Sequence, residues 1–398
     1  MRVGALQADA WADLEAAVGE VLDRRLLRAR PHPIAVALSG GGDSLALLLA
    51  AETWAGRAGR ALIVLTVDHR LHPESAAWTE ACAATAERLG LPFRALAWIG
   101  TKPPAGLPAA ARRARHALLA DAARDAGARV ILMGHTADDV LEARLMRAAG
   151  STTPDAHEWA PSPAWPEGRG VFVLRPLLGQ RRAAIRDWLG ARGERWIDDP
   201  ANQNPAYARP RARQALARGA AAPEPPSTGA SAAPLALACH AQPAGGLRVE
   251  RVALRAAAPD ALRRFLSAAC LCAAGTDRPP ARARVEALGS RVIGRDDFVA
   301  TLAGARISAA ATEVRVQREP GEVARGGLAP LGLAASEAGV WDGRFEVRAA
   351  AAVEVRAHGR TTLPEAMDAA GNAQPLQTRP LVHERLLAAC GAVEREPA

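Results

Sequence analysis

The first half of the chain alternates short apolar runs with longer stretches in which apolar residues recur every three or four positions. Unbroken apolar runs are typical of strands buried on both faces of a sheet, and the longer spacing is typical of helices. This order predicts an α/β fold with a doubly wound parallel sheet, whose ligands bind at the carboxyl ends of the strands. Strands are predicted at Ile34–Leu38, Ala61–Val67, Phe93–Ile99 and Arg129–Met133, and helices at Leu45–Trp54, Ser75–Leu89 and Ala109–Ala126.

The pattern changes near residue 219. Gly219–Ala233 is rich in proline, alanine, glycine and serine, which predicts a linker. We therefore divide the chain into an α/β domain at 1–218, a linker at 219–233, and a smaller, mainly helical region at 234–398. In that last region helices are predicted at Pro259–Ala274, Arg282–Val292 and Leu381–Cys390, and short β-like pieces at Phe298–Leu302, Thr312–Val316 and Phe345–Val355.

A glycine-rich turn directly follows the first predicted strand. Its glycines let the backbone approach an anion closely, and the N-terminus of the next helix adds partial positive charge. The turn lacks the Gly-Lys-Ser/Thr of a Walker A loop and the spacing of a Rossmann turn. A turn without a ligand would explain the glycines alone, but the two serines and the aspartate favour a phosphate site. The residues are Ser39, Gly40, Gly41, Gly42, Asp43 and Ser44.

Acids and histidines follow two other predicted strands. Asp68 and His69 end the second strand, and His135 follows the fourth. Asp138 and Glu142 are four residues apart and share one face of a helix that starts here. Acids that point at a phosphate loop need a cation, either Mg²⁺ with phosphate oxygens or the ammonium group of a substrate amine. A match to the helix dipole is a common explanation for Asp138 and Asp139 in a first helical turn, but it leaves His135 and Glu142 unexplained.

The formal charge is +8, and Lys102 is the single lysine, so nearly all basic residues are arginines. Residues 181–218 hold nine arginines, four acids and the only tyrosine, Tyr207. An aromatic ring among arginines suits an unstacked RNA base beside its phosphates, although a surface loop with a packed tyrosine explains the segment equally well. Arg112 and Arg115 share a face of the third predicted helix, for which a solvated face is the simpler explanation.

The five cysteines show no Cys-x-x-Cys pair. An odd number without a disulfide framework predicts reduced thiols, most of them small buried hydrophobes. No apolar run approaches the length of a membrane span, and the first 20 residues show no signal-peptide pattern. We therefore expect a soluble, cytoplasmic protein with no membrane partner.

Taken in order, these blocks resemble the tRNA(Ile)-lysidine synthetase family of PP-loop ATP pyrophosphatases. The resemblance covers about residues 30–215. Pro108 and His116 depart from the family pattern on the helix of Arg112 and Arg115. The resemblance rests on the phosphate loop, on His135, Asp138, Asp139 and Glu142, and on Asp199, Pro200, Asn202, Tyr207, Arg209 and Arg213.

The resemblance implies an adenine nucleotide alpha hydrolase-like fold. It also implies ATP-dependent ligation of free L-lysine to C2 of the wobble cytidine of tRNA(Ile) with a CAU anticodon. An adenylated cytidine would be the intermediate, and AMP and pyrophosphate would leave. The C-terminal region would contact tRNA, and a homodimer is a possible assembly.

The same resemblance implies three groups of site residues. ATP would be bound by Ser39, Gly40, Gly41, Gly42, Asp43, Ser44, Asp68 and His69. Catalysis would involve Asp43, which would also hold Mg²⁺, together with His135, Asp138 and Glu142. Phosphates or tRNA would be bound by Arg112, Arg115, Tyr207, Arg209 and Arg213.

Three other functions are alternatives to ATP-dependent lysine ligation. A tRNA thiolase on the same fold would need a cluster or a reactive cysteine, and Cys82 is the only cysteine in the first half. A PP-loop amidase or ligase with a small-molecule substrate would not need the arginine-rich segment. A non-enzymatic RNA-binding protein would not need the acids beside the loop.

Overall fold

The computed structural model describes residues 3–151, 153, 156–200, 204–224, 229–324, 326 and 328–398. The chain divides into two compact units. The first contains residues 1–226 and 394–398, and the second contains residues 227–393. Within the described ranges, none of the helices combines the length and the apolar character that a membrane crossing requires.

The first unit alternates strands and helices as the hydrophobic pattern predicts. Its elements are α1 (Val3–Arg25), β1 (Ile34–Ala37), α2 (Gly42–Ala58), β2 (Leu62–Asp68), α3 (Ser75–Arg88), β3 (Phe93–Ala97), α4 (Leu107–Asp125), β4 (Val130–Leu132), α5 (Ala137–Ala148), β5 (Trp159–Pro161), β6 (Phe172–Leu174), α6 (Arg182–Ala191) and α7 (Ala208–Ala217).

These strands form one sheet in the order β3-β2-β1-β4-β6-β5. Every pairing is parallel except that of β5 with β6. In the centre, Val36 of β1 pairs with Val64 of β2 and Leu132 of β4, and all three side chains are fully buried. The doubly wound parallel sheet is therefore confirmed. The order reverses between β1 and β4, so the segments that follow these two strands meet where such sheets bind ligands.

The second unit is rich in antiparallel strands, so the prediction of a mainly helical C-terminal region is wrong. Its sheets have the orders β7-β8-β11-β10-β9, β12-β15-β16-β17 and β13-β14-β18. The elements are α8 (Ala233–Leu237), β7 (Cys239–Gln242), β8 (Gly246–Glu250), α9 (Arg251–Ala256), α10 (Pro259–Ala274), α11 (Arg282–Ile293), β9 (Phe298–Leu302), β10 (Ala305–Ala309), β11 (Glu313–Arg318), α12 (Gly321–Ala324), β12 (Leu331–Leu333), β13 (Ala338–Trp341), β14 (Phe345–Arg348), β15 (Val353–Ala357), β16 (Pro364–Met367), β17 (Ala373–Gln374), β18 (Gln377–Pro380) and α13 (Val382–Ala389).

Residues 394–398, the C-terminal strap, belong to the first unit. The Glu396 carboxylate accepts hydrogen bonds from both terminal nitrogens of Arg60, each at 2.8 Å, and both side chains are almost completely buried. Glu396 also accepts from the backbone N–H of Leu27 at 3.0 Å and donates its own backbone N–H to Arg25 at 2.8 Å. Because Arg60 lies two residues before β2, the strap lies at the amino end of the strands, opposite the ligand edge.

Candidate active site

The glycine-rich turn between β1 and α2 is a compact loop closed by its own serines. The Ser44 hydroxyl donates to the Gly41 carbonyl at 2.9 Å and accepts from the backbone N–H of Ser39 at 3.1 Å. Gly40 has a φ of +82°, and a Cβ there would lie 2.6 Å from the Ile197 side chain. Glycine is therefore required at Gly40 for both its backbone conformation and its packing.

Neighbouring segments hold this loop in place. The backbone N–H of Ile197 donates to the Gly40 carbonyl at 2.9 Å. A Cβ on Gly134, two residues after β4, would lie 2.9 Å from the Asp43 carbonyl oxygen. The segment after β4 therefore touches the loop backbone, and this contact brings the acids of α5 close to Asp43.

The predicted acids gather around the start of α5. Asp43 lies in the first turn of α2, and Asp138, Asp139 and Glu142 lie on α5. Asp139 caps its own helix, because its carboxylate accepts from the backbone N–H of Thr136 at 2.8 Å. Glu142 is fully buried. The structure thus brings together the acids that the sequence predicts at this edge of the sheet.

Arginines from a later part of the chain neutralise these acids. Arg182 contacts Asp43 at 3.1 Å, Glu142 at 3.1 Å and Asp139 at 3.4 Å. Arg181 contacts Asp138 at 2.9 Å. Burial lowers the pKa of Arg182, but the surrounding carboxylates outweigh it and the net pKa is raised. Burial raises the pKa of Asp43, and Arg182 partly offsets that effect.

The arginines of α7 also face the acids. Arg213 contacts Glu142 at 2.8 Å, and Arg209 contacts Glu142 at 3.6 Å and Asp139 at 3.8 Å. Tyr207 directly precedes α7 and is 40% exposed. Two of the residues predicted to bind phosphate or tRNA, Arg209 and Arg213, therefore border the acidic cluster, and Tyr207 lies just before their helix. Asn202, from the same sequence block, lies outside the described residues.

A cationic cluster, formed by Arg112, Arg115 and Arg175, lies beside the acids. Arg112 and Arg115 of α4 form no ion pair with any residue that the structure describes, and the Nε of Arg115 is buried without a hydrogen-bond partner. Burial and the neighbouring arginines lower the pKa of Arg115 to about 10. Burial also lowers the pKa of Arg175 to about 10. Such a concentration of positive charge with few counter-ions favours an anionic ligand.

Burial also keeps two histidines of this cluster neutral. Burial, reinforced by Arg175 and Arg115, places the pKa of His135 well below its ordinary value. His116 has a pKa of about 2 for similar reasons. Nδ1 of His135 accepts a hydrogen bond from Nε of Arg175 at 3.3 Å. A neutral ring that accepts at Nδ1 carries its proton on Nε2, so His135 can donate from Nε2 but cannot accept there.

Asp68 and His69 lie at the carboxyl end of β2. Asp68 accepts from the backbone N–H of Arg70 at 2.7 Å. His69 lies edge-on to Trp98, with ring centroids 6.2 Å apart, and its buried Nδ1 has no hydrogen-bond partner. Burial lowers the pKa of His69. These two side chains thus lie on the predicted edge of the sheet.

Sequence reasoning missed Arg175, Arg181 and Arg182 as site residues. One signal was available for the last two. Arg181 and Arg182 occupy the N-cap and the first position of α6, where the helix dipole disfavours positive charge. Two arginines at such a place indicate nearby acids, and Asp138 supplies one of them.

The chain is similar to a known family model and to known proteins. A family model described as a PP-loop domain matches residues 14–219. A tRNA(Ile)-lysidine synthase from Caulobacter vibrioides is 49% identical over 349 residues, which cover 87% of this chain and 81% of the relative. One from Hyphomonas neptunium is 47% identical over 209 residues, and the match covers 52% of this chain and 55% of that relative.

Among solved structures, one similar chain is the U34-tRNA thiolase NcsA from Methanococcus maripaludis with its 4Fe-4S cluster. It is 16% identical, has a TM-score of 0.45, and covers 53% of this chain and 73% of its own.

Proposed function

Because this chain belongs to the tRNA(Ile)-lysidine synthase family, we propose that its PP-loop site joins free L-lysine to C2 of the wobble cytidine of tRNA(Ile). The chain is an enzyme of tRNA modification that uses ATP through this loop. In the proposed reaction ATP adenylates the C2 carbonyl oxygen of the cytidine and pyrophosphate leaves. The lysine amine then attacks C2 and AMP leaves.

The loop is suited to the first step. The loop and the first turn of α2 contain Ser39, Gly40, Gly41, Gly42 and Ser44, and a ligand can approach the backbone N–H groups at the N-terminus of the helix there. We propose that these groups bind the pyrophosphate as its negative charge develops. Asp68 and His69, at the end of β2, would contact the adenosine.

Asp43 fits a magnesium ion that arrives with ATP. Mg²⁺ is usually bound through one or two carboxylates and the substrate phosphates, and Asp43 is the acid in the first turn of the loop helix. In the part of the chain that the structure describes, no group of three or more potential ligands is arranged to hold a metal without the nucleotide. We therefore propose Asp43 as the protein ligand; Mg²⁺ would neutralise the phosphates.

The acids of α5 fit the amine substrate. Glu142 is fully buried, and its Oε2 has no hydrogen-bond partner. We propose that Glu142 and Asp138 orient the lysine and that His135 donates a hydrogen bond from Nε2 beside them. The chain has a single lysine of its own, Lys102, so a free amine is the better nucleophile.

The cationic cluster fits phosphate. Arg112 and Arg115 form no ion pair among the described residues, and Arg209, which contacts the acids, is close enough to lower the pKa of both. We propose that these three guanidinium groups bind phosphates of ATP or of the anticodon loop, with Arg213 beside them. Exposed Tyr207 would stack on a splayed base.

The remaining parts of the proposal concern the whole chain. Residues 1–218 would act as the catalytic domain, 219–233 as a linker, and 234–398 as a tRNA-contacting region. A cytoplasmic location fits the tRNA substrate, and a homodimer is a further prediction.

Sulfur transfer is the alternative that the site itself disfavours. Cys82 is buried behind the loop, with its Sγ 3.4 Å from the position of a Cβ on Gly40. Burial raises the pKa of Cys82, which leaves little reactive thiolate.

The observation that best supports lysine ligation is the set of acids around Asp43 beside an intact phosphate loop. The test measures radiolabelled lysine incorporated into unmodified tRNA(Ile) with Mg²⁺ and ATP. We expect label with the CAU anticodon and none when its cytidine is replaced by uridine. Pyrophosphate release on tRNA without label would redirect the search to another nucleophile, sulfur first.

A further inference from the structure

Arg182 lies where α5 and α6 meet. It is the first residue of α6, and its backbone N–H donates to Oδ2 of Asp138 at 2.7 Å. Arg181 contacts the other oxygen of the same carboxylate. The backbone of Arg182 is therefore fixed against the first turn of α5, and only its side chain is free to reach the loop.

The side chain of Arg182 bridges three acids from two helices. Its Nε donates to Asp43, its Nη1 to Glu142 and its Nη2 faces Asp139, at 3.1, 3.1 and 3.4 Å. The side chain is 16% exposed. A planar guanidinium can satisfy three carboxylates at once because its donors point in fixed, separate directions.

The three acids do not depend on Arg182 equally. Glu142 also pairs with Arg213, and Asp139 also accepts from Thr136. Asp43 forms no other ion pair among the described residues. Among the residues that the structure describes, Arg182 is therefore the one ionic link between the acid of the phosphate loop and the acids of α5.

We propose that Arg182 is a positioning residue for the adenylation step. It keeps the Asp43 carboxylate at the loop and holds it next to Asp139 and Glu142. This inference rests on the proposed function. Carboxylates this close repel one another unless a cation lies between them. Without Arg182, Asp43 would turn toward water, and the magnesium ion of ATP would lose its protein ligand in the transition state.

The test compares Arg182→Gln with Arg182→Lys. We expect Arg182→Gln to lower kcat for tRNA-dependent pyrophosphate release about 10- to 100-fold and to change the KM for ATP by less than about threefold. Arg182→Lys should recover part of kcat, because an ammonium keeps the charge but cannot span three carboxylates. Arg28→Gln is the matched control, since Arg28 is exposed and pairs with Asp23 far from the loop in sequence.

A kcat for Arg182→Gln within twofold of the wild type would overturn the inference, and so would a lysine variant no better than the glutamine one. A thermal-unfolding cycle with Asp43→Asn tests the contact without any assay of activity. We expect the double variant to unfold at the temperature of the less stable single variant, and additive losses would overturn the inference. A wild-type chain that releases no pyrophosphate would instead contradict the proposed function.

Discussion

At the scale of residues, the candidate site is a set of charge pairs whose members come from distant parts of the chain. Asp138 pairs with Arg181, Asp43 with Arg182 and Glu142 with Arg213. Each of these three acids, which the sequence predicts to bind a metal or an amine, already has a cationic neighbour. A lysine ammonium or a magnesium ion must therefore share these carboxylates with arginine, and the phosphates of ATP and tRNA would offset the added positive charge.

His116 gives a prediction for pH dependence. Its pKa is about 2 in the folded chain against about 6.5 when unfolded. The unfolded state therefore binds more protons below pH 6.5, and folding stability must fall as the pH falls. Between pH 6.5 and 5 we expect this residue alone to cost about 2 kcal/mol.

The measurement is urea unfolding at several pH values for the wild type and His116→Tyr. The wild type should lose more stability than the variant as the pH falls from 6.5 to 5. Equal losses would show that His116 accepts a proton in the folded chain.

At the scale of elements, the site depends on how closely β4 approaches α2. Gly134 allows this approach, because a Cβ there would lie 2.9 Å from one backbone atom of Asp43 and 3.0 Å from others of Asp43 and Ser44. Backbone atoms cannot move aside as a flexible side chain can. The distance between the phosphate loop and the acids of α5 is therefore set by a residue with no side chain.

We expect Gly134→Ala to push β4 and α2 apart and to lower kcat/KM for pyrophosphate release at least tenfold. Gly56→Ala is the matched control, because Gly56 lies in α2 with nothing within 4 Å of its added Cβ. That control should keep full activity and gain up to about 1 kcal/mol of stability. The two variants are compared by steady-state kinetics and thermal unfolding, and full activity in Gly134→Ala would contradict this account.

The elements also show what the sequence can predict. The central strands are buried on both faces and lie within a residue or two of their predicted bounds, and α10 spans the predicted Pro259–Ala274. The strands β5 and β6 have three residues each, too few to give a pattern. In the second unit, β11 alternates buried valines with exposed arginine and glutamine. The segment Phe345–Val355, predicted as one piece, contains β14 and the first part of β15.

The candidate site was predictable to a similar degree. Its acids and its phosphate loop could be predicted, because their residues lie at the ends of predicted strands. Its arginine partners lie about 40 to 140 residues away along the chain, and only the fold brings them to the acids.

At the scale of the whole molecule, the C-terminal strap completes the first unit. We expect Glu396→Gln to destabilise the chain by about 3 kcal/mol, because it leaves Arg60 buried and charged without its counter-ion. Glu394→Gln is the matched control, since Glu394 is exposed and, among the described contacts, uses its backbone carbonyl, which accepts from Arg25. Urea unfolding measures both variants.

Equal stability of the two strap variants would contradict this role. If it holds, replacing both partners, with Arg60→Met and Glu396→Leu, should restore much of the loss, because neither charge is then left buried alone.

The strap also has a consequence for synthesis on the ribosome. Residues 227–393 are made between the body of the first unit and the strap. At about 5–20 residues per second this delay is roughly 10 to 30 s. During that time the nascent first unit exposes Arg60, and the surface that the strap covers, to water and to chaperones. We therefore expect active enzyme only after the strap has left the exit tunnel. A ribosome stalled within the second unit would carry a formed phosphate loop in a first unit that is still incomplete.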